Sequence, residues 1–190
     1  MIQRIVVAFK DRNLPEGDPV FQSHSSEVDA TMIVRLAYQT TWFDFPREVV
    51  CNNPLALAFM TPKAFAWFLP AYLVVSVARY AETDTLTTTI VTCLTPPDEA
   101  DASTFEALVE EMRALNANIF EEARIGSLGL DDQLLQLFIE RVGVLADNEK
   151  AAVRDYLEYM DATHGADFPA FGPKHALDRY WARAARSSNR

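Results

Sequence analysis

A stretch of fifteen residues from Ala64 to Ala78 carries no charged side chain. The Thr-Pro pair at 61–62 precedes it, and this pair favours a helix start because threonine caps a first turn and proline suits the first helical position. A helix that is apolar on every side lies inside a protein or a membrane. Fifteen helical residues span only about 22 Å, against about 30 Å of hydrocarbon. The pattern therefore predicts a buried helix over 61–80, kinked near Pro70.

Apolar positions recur at helical spacing in much of the remaining chain. They predict further helices over 2–10, from Ser25 or Ser26 to Tyr38, and over 46–52, 103–115, 117–124, 131–142, 147–163 and 174–186. A strand, IVVAF, is the alternative for the first of these. Residues 84–95 are ambiguous, because their threonines and β-branched residues favour a strand. We expect a helix there, since four apolar residues share one helical face: Leu86, Ile90, Cys93 and Leu94.

The composition favours a mainly helical domain. Glycine is scarce, with six in 190 residues, and phosphate-binding loops and doubly wound sheets need glycine at their turns. A chain of this length, 49% hydrophobic, is expected to form one globular domain. We predict a mainly α, single-domain helical bundle around the kinked apolar helix at 61–80. Residues 1–165 are expected to form its helical core domain, and residues 166–190 a linker plus a C-terminal helix packed on or near the core.

Charge is the second informative pattern. The chain carries a net charge of −10, and residues 98–122 hold eight acidic residues against Arg113 alone, a local charge of −7. Residues 174–190 have the opposite sign, at +4. Acidic proteins make poor nucleic-acid partners because phosphate contacts need clustered lysine and arginine. A solvated face is one explanation of the acidic segment. A basic protein partner is the other, with these candidate binding residues: Asp98, Glu99, Asp101, Glu106, Glu110, Glu111 and Trp42.

Known catalytic and metal-binding motifs are not present in the sequence. The three histidines are isolated from one another, and two cysteines form no framework, so we predict no catalytic residue, metal or cofactor. Activation of Cys51 by His24 is an alternative. Reduced cysteines suggest a cytoplasmic protein, and the short apolar helix suggests no membrane span.

Two further features have alternative interpretations. Arg79 follows the apolar helix, where a cation stabilises the helix dipole. It is also able to pair with a carboxylate such as Glu82, or to bind an anionic ligand. The sequence WFDFP at 42–46 places three aromatic residues beside a turn. It forms either a lid over the core or an exposed recognition patch.

The segment MTPKAFAWFLPAYL at 60–73 resembles the signature of an uncharacterised bacterial family that reads close to L-T-P-x-A-F-x-Y-Y-L-P-A. Trp42, Pro46 and the LTPP at 94–97 fit the same pattern, and the later residues look like that family's last helix: Phe138, Leu145, Lys150, Ala152, Val153, Tyr156 and Leu157. This chain departs from the signature at Met60, and has Trp67 and Phe68 where tyrosines are usual. The resemblance implies no function.

These observations favour a non-enzymatic protein-binding module, such as an immunity-type protein that neutralises a basic partner. Compact size, acidity and the absence of catalytic motifs are the reasons. One alternative is a small enzyme whose site is assembled from scattered Asp, Glu, His and Arg side chains. Another is a structural or oligomer-forming module. The sequence leaves the oligomeric state open.

Overall fold

The computed structural model describes residues 1–14, 17–22, 30–97, 130–168 and 171–182. In these ranges the helices are α1 (Ile2–Phe9), α2 (Ala30–Ala37), α3 (Arg47–Asn52), α4 (Pro62–Ala78), α5 (Asp84–Cys93), α6 (Leu130–Gly143), α7 (Asp147–His164) and α8 (Pro173–Ala176). Shorter 3₁₀ turns cover Pro54–Phe59, Tyr80–Glu82 and Gly165–Asp167, and a π turn covers Leu177–Trp181. The predicted mainly α, single-domain fold is confirmed, and these ranges contain no β-strand.

Helix α4 forms the centre of the molecule, as its composition predicts. Every residue from Ala64 to Ser76 is buried, and α1, α3, α5 and α6 pack around it. The helix begins at Pro62 after Thr61 and continues through Pro70 to Ala78. The kink expected at Pro70 stays a prediction. No helix in the described ranges is long and apolar enough to cross a membrane.

Helix α5 settles the ambiguity at 84–95 in favour of a helix. Two threonine hydroxyls, one in the helix and one just after it, bond along the chain instead of across a sheet: Thr89 Oγ1 donates to the carbonyl of Thr85 at 2.8 Å, and Thr95 Oγ1 to that of Val91 at 2.7 Å. Such bonding to the preceding turn satisfies hydroxyls within a helix. Leu86 and Ile90 are buried on the face that the spacing predicts.

Residues 17–22 are tied to the start of α4. Phe21 and Met60 form an isolated antiparallel bridge. The amide of Gln22 donates to the carbonyl of Phe59, and the amide of Thr61 to that of Val20, both at 3.0 Å. Thr61 Oγ1 also donates to the carbonyl of Pro19, at 2.7 Å. The Thr61 hydroxyl is therefore used by the neighbouring segment and makes no capping bond to its own helix.

The two ends of the described chain pack on the same core. Helix α1 is joined to α7 by Arg4 and Asp155, whose side chains form an ion pair at 2.9 Å. At the other end, the indole of Trp181 donates to the carbonyl of Leu94 at 2.7 Å. Trp181 and Tyr180 are buried in the same cluster as α4. A domain boundary at residue 165 stays a prediction.

Several predictions concern residues outside the described ranges. These are the helices over 103–115 and 117–124, the start of the helix at Ser25 or Ser26, and the end of the last helix at 186. The described part of that last helix starts at Pro173 and passes into the π turn. Helical periodicity did not anticipate the π turn, because the spacing of its buried residues, Leu177, Tyr180 and Trp181, fits an α-helix as well.

Candidate functional site

A cleft of about 580 Å³ lies where the chain leaving α1 meets the chain leaving α2, above α4. Ligand sites for small molecules commonly have volumes of roughly 300–1,000 Å³. The described residues that line the cleft are Val6, Lys10, Arg12, Asn13, Leu14, Ala37, Tyr38, Thr40, Thr41, Trp42, Phe43 and Trp67. Aromatic rings supply one side of it, and two cations lie on the segment that leaves α1.

The aromatic side is built on Trp42. This residue is only 4% exposed, and its indole Nε1–H donates to the carbonyl of Phe9 at 2.8 Å. Phe43 follows it, packs edge-to-face on it with ring centroids 5.6 Å apart, and stays 60% exposed. Trp42 and Phe45 cover the core, as the lid interpretation predicts, and Phe43 faces solvent. Recognition of a partner by Phe43 stays a prediction.

The polar residues of the cleft are also fixed by hydrogen bonds. Tyr38 is exposed along its ring, but its hydroxyl donates to the carbonyl of Asp18 at 3.0 Å. Thr40 Oγ1 donates to the carbonyl of Leu36 at 3.0 Å. Thr41 Oγ1 donates to Asp44 Oδ2 at 2.7 Å and closes the turn that carries Trp42. The wall of the cleft is therefore ordered before anything binds.

Arg12 forms the cationic side. Its Nε donates to Glu149 Oε1 at 2.9 Å, and its Nη2 donates to Glu149 Oε2 and to the carbonyl of Val144, the latter at 3.0 Å. Glu149 is buried in the first turn of α7, where it also accepts the amide of Ala146 at 2.8 Å. Bidentate pairs between arginine and carboxylate have a fixed geometry. Arg12 is therefore held in place by α7.

Lys10 completes this side at the end of α1. Its side chain is 68% exposed, and its ammonium lies 3.8 Å from the exposed carboxylate of Asp11. The position at a helix C-terminus is favourable for a cation. That placement accounts for the charge and leaves the ammonium hydrogens without a hydrogen-bond partner in the described structure.

The predicted partner-binding residues divide into two sets. Trp42 lies in the cleft wall, although most of its surface is buried. The six acidic candidates lie outside the described residues: Asp98, Glu99, Asp101, Glu106, Glu110 and Glu111. The role of all seven in partner binding stays a prediction. The sequence singles out Phe43 within WFDFP but does not place Lys10 or Arg12 beside it, because Lys10 and Phe43 are 33 positions apart and only the tertiary fold brings them together.

Arg79 pairs with a carboxylate, as one of the alternatives predicts, and that carboxylate belongs to Glu48. Its Nη2 donates to Glu48 Oε1, on α3, at 3.4 Å. Arg79 therefore joins the end of α4 to α3. His24, the proposed activator of Cys51, lies outside the described residues.

A second polar cluster, which the sequence analysis missed, surrounds Arg141 on α6. This buried guanidinium donates through Nη2 to the carbonyls of Ala58 at 2.7 Å and Met60 at 3.1 Å. It also lies 4.6 Å from the ring centroid of Phe65. Arg141 thus caps the 3₁₀ turn that leads into α4. The available signal was its spacing, because residues 138, 141 and 142 share one helical face.

Burial lowers the pKa of Arg141, and the interaction with Cys93 partly offsets that decrease. Burial raises the pKa of Cys93, and the interaction with Arg141 partly offsets that increase. Cys93 as a residue is partly exposed, but its thiol is enclosed. A raised pKa keeps the thiol protonated at neutral pH, so the cluster has the properties of a structural contact and not of a thiolate nucleophile.

His164, at the end of α7, forms a cluster with Tyr80 and Asp167. Its ring stacks on Tyr80 with centroids 3.5 Å apart, and the Tyr80 hydroxyl donates to Asp167 Oδ2 at 2.9 Å. Asp167 also lies 3.7 Å from His164 Nδ1. Among the described residues, no three His, Cys, Asp or Glu side chains group closely enough to hold a metal ion.

The comparison with known proteins bears on the family and not on the site. No curated protein and no solved structure matches this chain. A family match runs from residue 2 to residue 123, so it contains the signature at 60–73 and ends before α6. The likeness of the later helix to the same family stays a prediction. Because this match covers more than half of the chain, the protein belongs to the family described as "Family of unknown function (DUF6714)".

Proposed function

We propose that this protein is a non-enzymatic protein-binding module, of the immunity type, that neutralises a basic partner. The cleft is the observation that supports the proposal most. Its walls are fixed by hydrogen bonds from Trp42, Tyr38 and Thr41. A preordered surface loses little conformational entropy when a partner docks, so more of the contact energy appears as affinity.

The aromatic residues at the cleft suit a protein interface. Tryptophan, tyrosine and arginine are enriched among the residues that dominate binding energy, and they cluster where water is excluded. Here Phe43 and Tyr38 are exposed beside a cleft that is deep enough to accept a side chain. A partner that inserts one side chain there would cover Phe43 with its surrounding surface.

The charge of residues 98–122 supports a basic partner. Eight acidic residues against Arg113 give a local charge of −7. A field of this sign raises the association rate of a positively charged protein, and salt weakens it. In this proposal the acidic segment steers the partner and the cleft holds it.

The enzyme alternative receives less support from the cleft. General acid–base catalysis needs a side chain that exchanges a proton near neutral pH, most often a histidine or a carboxylate. In the described lining, the titratable groups are Lys10, Arg12 and Tyr38. Two carboxylates that bond to lining residues are already engaged: Glu149 by Arg12 and the Ala146 amide, and Asp44 by Thr41.

The test is capture of partners from the native host, followed by association kinetics at low and high salt. We expect a basic protein whose binding is lost with Phe43→Ala and kept with Phe171→Ala, an exposed phenylalanine outside the cleft. Reversal of Glu106, Glu110 and Glu111 to lysine should slow association several-fold and flatten its salt dependence. Binding that ignores all of these changes contradicts the proposal, and turnover of a small molecule without a partner favours the enzyme.

A further inference from the structure

Arg12 has hydrogen-bond donors that the described part of the protein does not use. A guanidinium carries five N–H groups. Nε and both hydrogens of Nη2 are directed to Glu149 and Val144, whereas Nη1 makes no hydrogen bond in the described structure. The side chain is 22% exposed and lines the cleft. The two N–H groups of Nη1 are therefore available to a ligand there.

The orientation of this free edge is set in advance. Glu149 accepts hydrogen bonds from Nε and Nη2, on the other side of the guanidinium. Glu149 is itself fixed in the first turn of α7, where it accepts the amide of Ala146. An anion that reaches Nη1 therefore finds donors that need no rearrangement, which is the condition for an efficient charge-assisted hydrogen bond. The ion pair with Glu149 offsets most of the charge of Arg12, so the additional positive charge comes from Lys10.

We infer that the Lys10–Arg12 side of the cleft is a carboxylate-binding subsite, and that the cleft accepts an aromatic ring joined to a carboxylate by a short linker. This inference rests on the proposed function, because it names the group that a partner would insert. The ring packs against Trp42 and Phe43, where aromatic pairs gain energy beyond simple burial. The carboxylate meets Nη1 of Arg12 and the ammonium of Lys10.

The same chemistry has two sources, a free aromatic acid and the C-terminal aromatic residue of a polypeptide. Two probe pairs distinguish them. The first pair is 3-phenylpropanoate and its neutral counterpart, 3-phenylpropan-1-ol. The second is N-acetylglycylphenylalanine and its C-terminal amide. In each pair the ring is kept and the carboxylate charge is removed.

The indole N–H signals of ¹⁵N-labelled protein provide a site-specific readout. Trp42 and Trp67 line the cleft, whereas Trp181 lies outside its lining, with its Nε1 bonded to the Leu94 carbonyl. We expect saturable shifts of the Trp42 and Trp67 signals with the carboxylate probes, and a steady Trp181 signal. The neutral probes should bind about tenfold more weakly, because a charge-assisted hydrogen bond is lost. Stronger binding of the peptide acid than of phenylpropanoate would identify a polypeptide C-terminus as the source.

Lys10→Gln is the matched variant, since the exposed side chain contributes little to packing. It should weaken carboxylate binding about three- to tenfold and leave the neutral probes unchanged. Lys174→Gln removes the same charge outside the cleft and should change neither. Equal affinity for both members of a pair overturns the carboxylate subsite but retains the cleft as an apolar site. Unmoved Trp42 and Trp67 signals with every probe overturn the subsite as well, while the Phe43→Ala capture experiment separately decides the proposed function.

Discussion

The hydroxyls of Ser76 on α4 and Tyr156 on α7 lie 2.9 Å apart inside the core. Ser76 Oγ also donates to the carbonyl of Leu73 at 3.0 Å. A serine hydroxyl has one hydrogen, so Ser76 uses it on Leu73 and the phenol of Tyr156 is the donor of the pair. Tyr156 therefore depends on Ser76 as the acceptor of its only hydrogen, whereas the hydrogen of Ser76 is bonded elsewhere.

Removal of the Ser76 hydroxyl is therefore expected to lower the free energy of unfolding more than removal of the Tyr156 hydroxyl. Ser76→Ala leaves a buried O–H donor without a partner, at a cost of about 1–3 kcal/mol in the free energy of unfolding. Tyr156→Phe leaves only an unused acceptor on Ser76 and should cost about 1 kcal/mol. Urea titration of both single variants and the double variant measures this. A double variant less stable than Ser76→Ala alone would contradict the direction of the bond.

Phe65 is expected to be one of the most important core residues for stability. It is buried on α4, and the guanidinium of Arg141 lies over the face of its ring, 4.6 Å from the centroid. Phe65→Ala should lower the free energy of unfolding by roughly 3–5 kcal/mol, through lost burial and the cavity that remains. Phe171→Ala, at an exposed phenylalanine, is the control and should stay within about 0.5 kcal/mol of the wild type. Equal urea midpoints for the two variants would place α4 at the periphery.

Glu149 is expected to stabilise the fold through two bonds at once, since it holds Arg12 and accepts the Ala146 amide. Glu149→Gln should cost about 1–3 kcal/mol, because a buried pair loses its charge while Arg12 remains in place. The control lies on the same helix: Glu158→Gln breaks an exposed pair with Arg154 at 3.6 Å. Its cost should be below about 0.5 kcal/mol. Thermal unfolding of both variants provides the comparison.

Alkaline pH is expected to destabilise the protein through three buried acids. Burial raises the pKa of Cys93 above its ordinary 9.0, and raises the pKa of Tyr72 and of Tyr156 above 10.0. Each group loses its proton more readily when unfolded, so its contribution is intact below the ordinary pKa and is lost as pH rises above it. The urea midpoint should fall from about pH 9 upward.

Substitution of the buried phenols tests this origin. Tyr72→Phe and Tyr156→Phe should each reduce the slope of stability against pH above about pH 10. Phe65→Leu supplies a destabilised control without a titrating group, and should lower stability by a similar amount at every pH. Slopes that are the same in all these variants would show that other groups control the alkaline transition.

The fold was largely predictable because its main signal is local. Fifteen uncharged residues after a Thr-Pro helix start, too few to cross a bilayer, indicate a buried helix, and the period of 3.6 residues in α7 needs no distant partner to be recognised. Even α5, whose threonines favour a strand, keeps Leu86 and Ile90 on one helical face.

The candidate site was much less predictable, for a physical reason. Trp42 was identified as a partner-binding candidate, but its Nε1 bonds to Phe9, 33 positions earlier in the chain. Arg12 is oriented by Glu149, which lies 137 positions later. No periodicity in the sequence records such pairings, because they depend on how finished helices pack. Arg141 shows the same limit, since its carbonyl partners, Ala58 and Met60, lie in and just after a 3₁₀ turn that the pattern did not predict.

The bridge between Phe21 and Met60 makes the chain between them a closed loop, whose ends are fixed to the start of α4. This loop carries α2, α3 and the residues Tyr38 to Phe43. One wall of the cleft is thus attached to the start of the central helix. The Tyr38 hydroxyl also donates to the carbonyl of Asp18, within the segment 17–22. If the segment 17–22 separates from the start of α4, the hydrogen bonds of the Gln22 and Thr61 amides break and that wall of the cleft detaches. A ligand in the cleft opposes this opening, so hydrogen exchange at both amides should slow together when the cleft is filled.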